Sequence, residues 1–376
     1  MNGHIVSRGK NTWGIVLETQ DKVGKRKQKW ITFEGNKTAA KAKLRDLLHG
    51  KDNGDFVEPS KMTVAQFLSL WLDHKEGRVA DKTLDRWQDI IDNHIDPAFG
   101  YLRIQDIDWQ HLDAYYRKAR KSGRLDGKGG LAERTLLHHH RLLDNAMKYA
   151  IKKKVRKDNP CEAADTPSPR GSKAHSLDKE TIQAIINEAR DHRLYAPVVV
   201  DYTTGLRRGE LLGLRWSDID FTAGTLTVAQ VVQVVKKVVS FKEPKSERSA
   251  RTLRLPAPTL EVLKAHQLDQ KKLRLKIGKY YKNNNLVFCE VDGGVWHPDR
   301  FTGLFRGLVD RAEVKANFHL LRHTHATELL AVGTNPRLVS DRLGHSTVAF
   351  TLDVYGHVIP DMEEDALEKI GVGIEI

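Results

Sequence analysis

The stretch "HLLRHTHATELL", residues 319–330, sets three histidines and an arginine within its first seven residues. Read as a helix, it brings His319 and His323 one turn apart on one face. That is the spacing of a helical metal site. Arg322 lies on the same side. Three readings compete: a metal site, a packing helix, or an anion site in which an arginine works among histidines. A zinc hydrolase of the His-Glu-x-x-His type needs its carboxylate base beside the first ligand. Here that position is Leu320. Arg322 would also put a permanent cation beside the metal. No metal ligands are therefore assigned. A guanidinium suits an anion, because it can bind two phosphate oxygens at once. His323 and His325 are read as packing or supporting residues.

Charge points the same way. The chain has 376 residues, a net charge of +13 and a charged fraction of 30%. A surplus of that size calls for a polyanion, with nucleic acid the first candidate. The alternative from charge alone is an ordinary cationic enzyme. A hydrophobic share of 40% supplies ample core for a globular chain of two or three domains. Cys161 and Cys289 are too few and too far apart for a disulfide framework or zinc site, which fits a reducing, cytoplasmic setting. The opening "MNGHIVSRGK" has no apolar signal core, and no apolar run approaches the ~20 residues that span a bilayer. No membrane partner is expected.

Residues 1–55 read as strands followed by a helix. "TWGIVLET" and "KQKWITF" are β-branched and aromatic, joined by the cationic turn "QDKVGKRK". "NKTAAKAKLRDLLHG" has a possible Asn36 cap and a closing Gly50. Residues 1–60 hold twelve Lys and Arg against seven Asp and Glu. Lys25, Arg26, Lys27, Lys29 and Trp30 are the candidate DNA contacts of a small basic sheet; a solvated hairpin is the alternative. "GKDNGDFVEPSK" is a polar linker. From 62 to 165 the pattern is helical, with an apolar stripe at 64, 67, 68, 71 and 72. "SGRLDGKGG" lacks the Gly-Lys-Ser/Thr ending of a phosphate loop. His138, His139 and His140 point in different directions around a helix and do not share a metal. "KKKVRK" suits a helix C-terminus and a phosphate backbone. Pro160, Pro167, Pro169 and Gly171 mark a second linker.

Three further constellations lie beyond it. In "TTGLRRGELLGLRW", 203–216, Glu210 is three residues after Arg207 and within its reach on a helix. Arg207 and Arg208 cannot both face inward. A surface ion pair is the competing reading. In "FKEPKSERSARTLRLP", 241–256, Lys242 and Lys245 lie in a turn between strands, where a lysine can approach a phosphate and donate a proton. On these residues alone an exposed basic turn is the favoured reading. In "LGHSTVAFTLDVYGHV", 343–358, His345 follows a glycine and Tyr355 comes ten residues later.

Taken in order, these segments resemble the tyrosine recombinase, or phage integrase, family. "TGLRRGELLGLRW" looks like its first arginine box, "HLLRHTHAT" its His-x-x-Arg box, and "LGHSTVAFTLDVYGHV" its closing tyrosine box. The plan is most similar to integrases of temperate phages and integrative conjugative elements. The resemblance implies a multidomain, mainly α chain with small β-sheets. Its parts would be an N-terminal three-stranded sheet plus helix (1–56, arm-type DNA-binding), a helical core-type DNA-binding domain (62–165) and a mixed α+β catalytic domain (174–376).

The resemblance also implies roles. Arg207 and Arg322 would bind the scissile phosphate and stabilise its transition state. His319 and His345 would add hydrogen bonds, with His319 assisting proton removal from Tyr355, whose free pKa is about 10. Lys245, which fits the pattern better than Lys242, would protonate the leaving 5′ oxygen. Tyr355 would end joined to the 3′ phosphate. Glu210 would orient Arg207. The fixed arginines supply the charge a metal would bring, so neither metal, cofactor nor ATP is expected. The partners would be double-stranded attachment sites, three further copies of the chain in a tetramer, and DNA-bending or excision proteins, in the nucleoid of a bacterial host. The tail "PDMEEDALEKIGVGIEI" is expected to dock on a neighbouring subunit. A non-catalytic DNA-binding regulator and a metal-dependent nuclease are the rival classes. The first leaves the placement of the arginines, histidines and tyrosine unexplained; the second lacks a carboxylate cluster near the histidines.

Overall fold

The computed structural model describes residues 3–20, 26–52, 57–169, 176–243 and 250–356. The chain divides into two compact units, Met1–Arg170 and Gly171–Ile376.

The first unit begins with three antiparallel strands, β1 (Gly3–Gly9), β2 (Thr12–Gln20) and β3 (Arg26–Glu34), followed by helix α1 (Lys37–Asp52). Ile15, Val16 and Leu17 of β2 are buried, so the central strand carries the small core of the sheet. Arg26 and Lys27, read above as turn residues, belong to β3, opposite Gln20 and Thr19. The strand ladder extends further than the β-branched segments alone suggest.

Helices α2 (Val64–Lys75), α3 (Asp81–Ile90), α4 (Asp96–Phe99), α5 (Trp109–Ser122), α6 (Glu133–Lys152) and α7 (Pro160–Ala163) follow. A π-helical turn over Ile91–Ile95 joins α3 to α4. Thr63 and Gln66 cap α2 reciprocally, at 3.2 and 3.0 Å. The stripe Val64, Phe67, Leu68, Trp71 and Leu72 is buried, as its 3.6-residue period requires. His139 and His140 do face different partners: they meet the Tyr115 and Tyr116 hydroxyls at 2.7 and 3.0 Å. Arg156, within the run "KKKVRK" read as suiting a helix C-terminus and a phosphate backbone, turns inward instead. It is buried and donates to the Ile104 and Ile107 carbonyls at 2.5 and 2.9 Å, closing the loop after α4. No described helix is long and apolar enough to cross a membrane.

The second unit opens with α8 (Lys179–Ala189), α9 (Tyr195–Thr204) and α10 (Arg208–Gly213). Strands β4 (Ile219–Asp220), β5 (Thr225–Thr227) and β8 (Thr252–Arg254) form one antiparallel sheet. Between β5 and β8 stands a separate hairpin, β6 (Val231–Val235) and β7 (Val238–Lys242). Its turn is Lys236–Lys237, both at positive φ, 48° and 64°. Lys242 therefore closes a strand and is exposed, rather than sitting in a turn. Lys245 falls outside the described residues. Helices α11 (Ala257–Ile277), α12 (Pro298–Arg311), α13 (Phe318–Ala331), α14 (Pro336–Leu343) and α15 (Val348–Tyr355) complete the unit. The main core joins α8–α12 and the sheet to the start of α13, through Phe301, Phe305, Phe318 and Leu321. A satellite cluster of Ala326, Leu330, Val339, Leu343 and Tyr355 packs α13, α14 and α15 together.

Candidate active site

Two left-handed glycines make the framework. Helix α9 ends at Gly205 (φ 66°) and α14 at Gly344 (φ 65°). A Cβ on Gly205 would lie 2.7 Å from Leu343 Cδ2 and 2.8 Å from His325 Cδ2. One on Gly344 would lie 2.9 Å from Arg251 Nη1. Neither turn has room for a side chain, and neither conformation suits one. Each turn leaves backbone carbonyls free to accept hydrogen bonds from arginines.

Arg322, on the inner face of α13, is 2% exposed. It donates through Nη1 to Gly205 O at 2.5 Å and through Nη2 to Leu343 O at 2.8 Å. Arg207, the N-cap of α10, donates through Nη2 to Gly344 O at 2.7 Å. The two guanidiniums thus hold consecutive carbonyls of one turn. Glu210 takes Arg207 Nη1 at 2.8 Å and the Arg207 amide at 2.9 Å. The contact expected from the i,i+3 spacing is present, and it is a buried one on the glutamate side. Arg208 turns away, to Thr302 Oγ1 at 2.5 Å and Pro298 O at 3.1 Å.

Arg251 was not among the residues read from sequence. Its side chain is 7% exposed and grips Glu210 with both prongs, at 3.2 and 2.9 Å. Its Nε donates to Arg342 O at 2.5 Å. In the sequence it is one of many cations in "SERSARTLRLP", and nothing local marks it as the buried one.

Tyr355, at the end of α15, is 1% exposed. Its ring stacks on that of His345, with centroids 6.4 Å apart and planes at 6°. His345 is buried after the Gly344 turn, and its Nδ1 meets Thr351 Oγ1 at 2.8 Å. The histidine bonded to the tyrosine is His323: Nδ1 lies 2.6 Å from the Tyr355 hydroxyl. His319 is exposed on the first turn of α13 and meets the His323 ring edge-on, 4.6 Å between centroids. Of the two parts expected of His323, packing or supporting, this contact fits the second, and the hydrogen bond to the Tyr355 hydroxyl comes from His323 rather than from His319. His325 faces inward and accepts from Arg342 Nε at 3.0 Å, so for it the packing role holds.

The electrostatics suit an anion. Burial and the neighbouring Arg207 push Arg322 down to about 10. His319 keeps part of its surface open, but the crowding of its ring against the protein, with His323, Arg322 and Arg207 nearby, pushes it down to about 4. Burial, Arg322, Arg207 and Arg251 push His345 down to about 3. Burial raises the Tyr355 hydroxyl while Arg322 pulls it down. Burial is the largest cause of each shift; the arginines add to it for Arg322, His319 and His345, and an incoming phosphate relieves that added part. Among the described residues no group of three His, Cys, Asp or Glu side chains is placed to share a metal ion.

Two arginines distant in sequence, a stacked His–Tyr pair and a His–Tyr hydrogen bond converge on one turn. Residues 175–361 match the phage integrase family, and residues 63–119 match its N-terminal SAM-like domain. The chain belongs to the phage integrase family of tyrosine recombinases. Such a recombinase cleaves and rejoins DNA at specific sites. It is 29% identical to a tyrosine recombinase XerC-like protein of Caldanaerobacter subterraneus subsp. tengcongensis, over 98% of this chain and 97% of that one. It is 24% identical to the ICEBs1 integrase of Bacillus subtilis, over 75% of each. Its fold is similar to that of the Tn1549 transposon integrase solved with transposon right-end DNA. The TM-score is 0.68 at 21% identity, covering 82% of this recombinase and 100% of that chain. It also resembles the lambda integrase solved as a tetramer on a Holliday junction, with a TM-score of 0.56, 17% identity, and coverage of 92% and 94%.

Of the N-terminal candidates, Trp30 is 47% exposed and the Arg8 guanidinium stands 4.7 Å above its ring. Arg26, Lys27 and Lys29 are strand residues of β3. Lys25 lies outside the described residues. Arg8 was missed because it sits on β1, twenty-two positions before its aromatic partner.

Proposed function

We propose that this recombinase integrates and excises a mobile element through a 3′-phosphotyrosyl intermediate, with Tyr355 as the nucleophile. The observation that carries the reading is the pair of guanidiniums, Arg207 and Arg322, fixed on consecutive carbonyls beside Tyr355. Each arginine has N–H groups beyond those its carbonyl bonds use. Directed at the non-bridging oxygens of one phosphate, they neutralise the charge that resists attack and stabilise the transition state without reorganising. Glu210 and Arg251 hold Arg207 in place. His319 and His345 add neutral N–H donors to the same phosphate. Lys245 supplies the proton to the departing 5′ oxygen, with Lys242 as the alternative. The covalent link preserves the phosphodiester's energy, so a 5′ hydroxyl of another strand reverses the attack without ATP.

Residues 1–56 act as an arm-type DNA-binding domain, 62–165 as a core-type one and 174–376 as the catalytic domain. Four copies act on two attachment sites, since four strands are exchanged; the tail from Pro360 docks on a neighbouring copy. DNA-bending or excision proteins set direction, and the complex works on the nucleoid of a bacterial host.

The test is a nicked duplex carrying the element's own junction, incubated with the protein in EDTA and resolved in SDS. A stable adduct is expected with the intact chain and none with Tyr355→Phe. No adduct with the intact chain, or an adduct that persists in Tyr355→Phe, overturns the reading.

A further inference from the structure

His323 has no assigned part in that scheme, yet it touches the reacting atom. Its Nδ1 is 2.6 Å from Tyr355 Oη, at the short end of the hydrogen-bond range. The tyrosine ring is enclosed, stacked on His345 and tilted against His323 at 5.5 Å. His323 follows Arg322 directly on α13, and successive residues on a helix point about 100° apart. One therefore faces the phosphate site while the other faces the nucleophile. A single rigid helix sets both partners of the bond to be made.

The chemistry of the ring fits more than holding. Burial and Arg322 lower its pKa, so the imidazole is neutral and one nitrogen has a free lone pair. With the proton on Nε2, Nδ1 accepts from the phenol. The Tyr355 hydroxyl bonds His323, while the His319 ring lies against that of His323, 4.6 Å between centroids and planes at 80°.

We propose that His323 is the catalytic base of this recombinase: its Nδ1 takes the Tyr355 proton as the hydroxyl attacks the phosphorus. The inference rests on Tyr355 being the nucleophile. As the Oη–phosphorus bond forms, the phosphorus–O5′ bond breaks. The phenol proton passes to Nδ1, and the lysine assigned above protonates the 5′ oxygen. In rejoining, the Nδ1 proton returns to the departing phenolate while the attacking 5′ hydroxyl gives its proton back to the lysine. The imidazolium formed beside Arg322 is stabilised by the bound phosphate, which ties proton transfer to the presence of DNA.

The test uses the full chain and the nicked junction duplex. In His323→Asn the side-chain amide oxygen can occupy roughly the place of Nδ1. It accepts the hydrogen bond but cannot carry the proton. Cleavage is expected to fall by roughly 10²–10⁴-fold, the usual contribution of acid–base catalysis, with DNA affinity and melting temperature unchanged. Replacing Tyr355 by 3-fluorotyrosine lowers the phenol pKa. It is expected to restore at least about tenfold in His323→Asn and little in the parent, because only the variant must ionise the phenol unaided. His323→Gln replaces Asn if the first variant does not fold, and is read in the same way. Cleavage by the variant within about threefold of the parent, or an equal fluorine effect in both, overturns the proposal and leaves His323 as a holder of Tyr355. Loss of the adduct in the parent itself removes the recombinase assignment instead, so the two failures are distinct.

Discussion

Arg207 and Arg322 hold adjacent carbonyls, Gly344 O at 2.7 Å and Leu343 O at 2.8 Å, so the turn before His345 sets the distance between the two guanidiniums. That turn exists because Gly344 adopts φ 65°. Gly344→Ala would strain the backbone by about 1–2 kcal/mol and drive a methyl to 2.9 Å from Arg251 Nη1. The expected outcome is a stability loss of at least about 1 kcal/mol in urea and a cleavage defect larger than the stability loss explains. A variant with parental single-turnover rates would show that the turn relaxes without moving the arginines.

Glu210 joins Arg207 to a third arginine, Arg251. It is buried, and both oxygens are shared between Arg207 and Arg251. Burial opposes its charge, but Arg251 and Arg207 prevail and hold its carboxyl below the usual range. Glu210→Gln leaves Arg251 buried beside a neutral group, which costs about 3–5 kcal/mol. The double variant Glu210→Gln, Arg251→Met removes the orphaned charge. It is expected to regain most of the stability while cleavage stays low, because Arg207 is no longer aimed. Chemical denaturation together with single-turnover cleavage separates the two effects; joint recovery would mean that Glu210 serves folding alone.

Much of this was legible before any coordinates. The stripe over residues 64–72 has a helical period, and burial followed it. The arginine and tyrosine boxes were readable as motifs, each with a glycine close by; that Gly205 and Gly344 are left-handed came only with the structure. What stayed hidden depended on pairs far apart in sequence. Arg251 looks like its exposed neighbours until Glu210 is seen against it. The β6–β7 turn was missed because two lysines occupy positions that usually favour Asn or Gly. His319 and His323 share a helix face, so sequence could not say which of them reaches Tyr355. That choice is made by α15, which packs beside α13 through Tyr355 itself.

Acid should destabilise the fold through its buried histidines. His139 is held down to about 4 and His325 and His345 to about 3, in each case first by burial. Between those values and the unfolded value of about 6.5, the unfolded chain binds protons that the native chain refuses. Stability therefore rises with pH across this window and is lost as pH falls through it. Each such histidine removes about 1.4 kcal/mol per unit below its unfolded pKa. The melting temperature is expected to drop steeply from pH 6.5 to 4.5, and His139→Gln is expected to flatten the slope. A melting temperature constant over that range would show that the rings are charged in the native state.

The N-terminal sheet offers a separate test of DNA contact. Arg8 stands over exposed Trp30, which presents an aromatic and a cation on one surface of the first unit. If this surface meets a phosphate backbone, each lost phosphate contact lowers the slope of log affinity against log salt by about 0.9. Arg8→Gln is then expected to weaken binding to the element's outer arm DNA and to reduce that slope by about one. Trp30→Ala would weaken binding and leave the slope unchanged, since the indole carries no charge. Neither change should alter cleavage of a short core-site duplex, whose chemistry is proposed to rest on Arg207, Arg322 and Tyr355. Equal losses on arm and core DNA would instead mean that Arg8 and Trp30 support the fold of the unit rather than reading DNA.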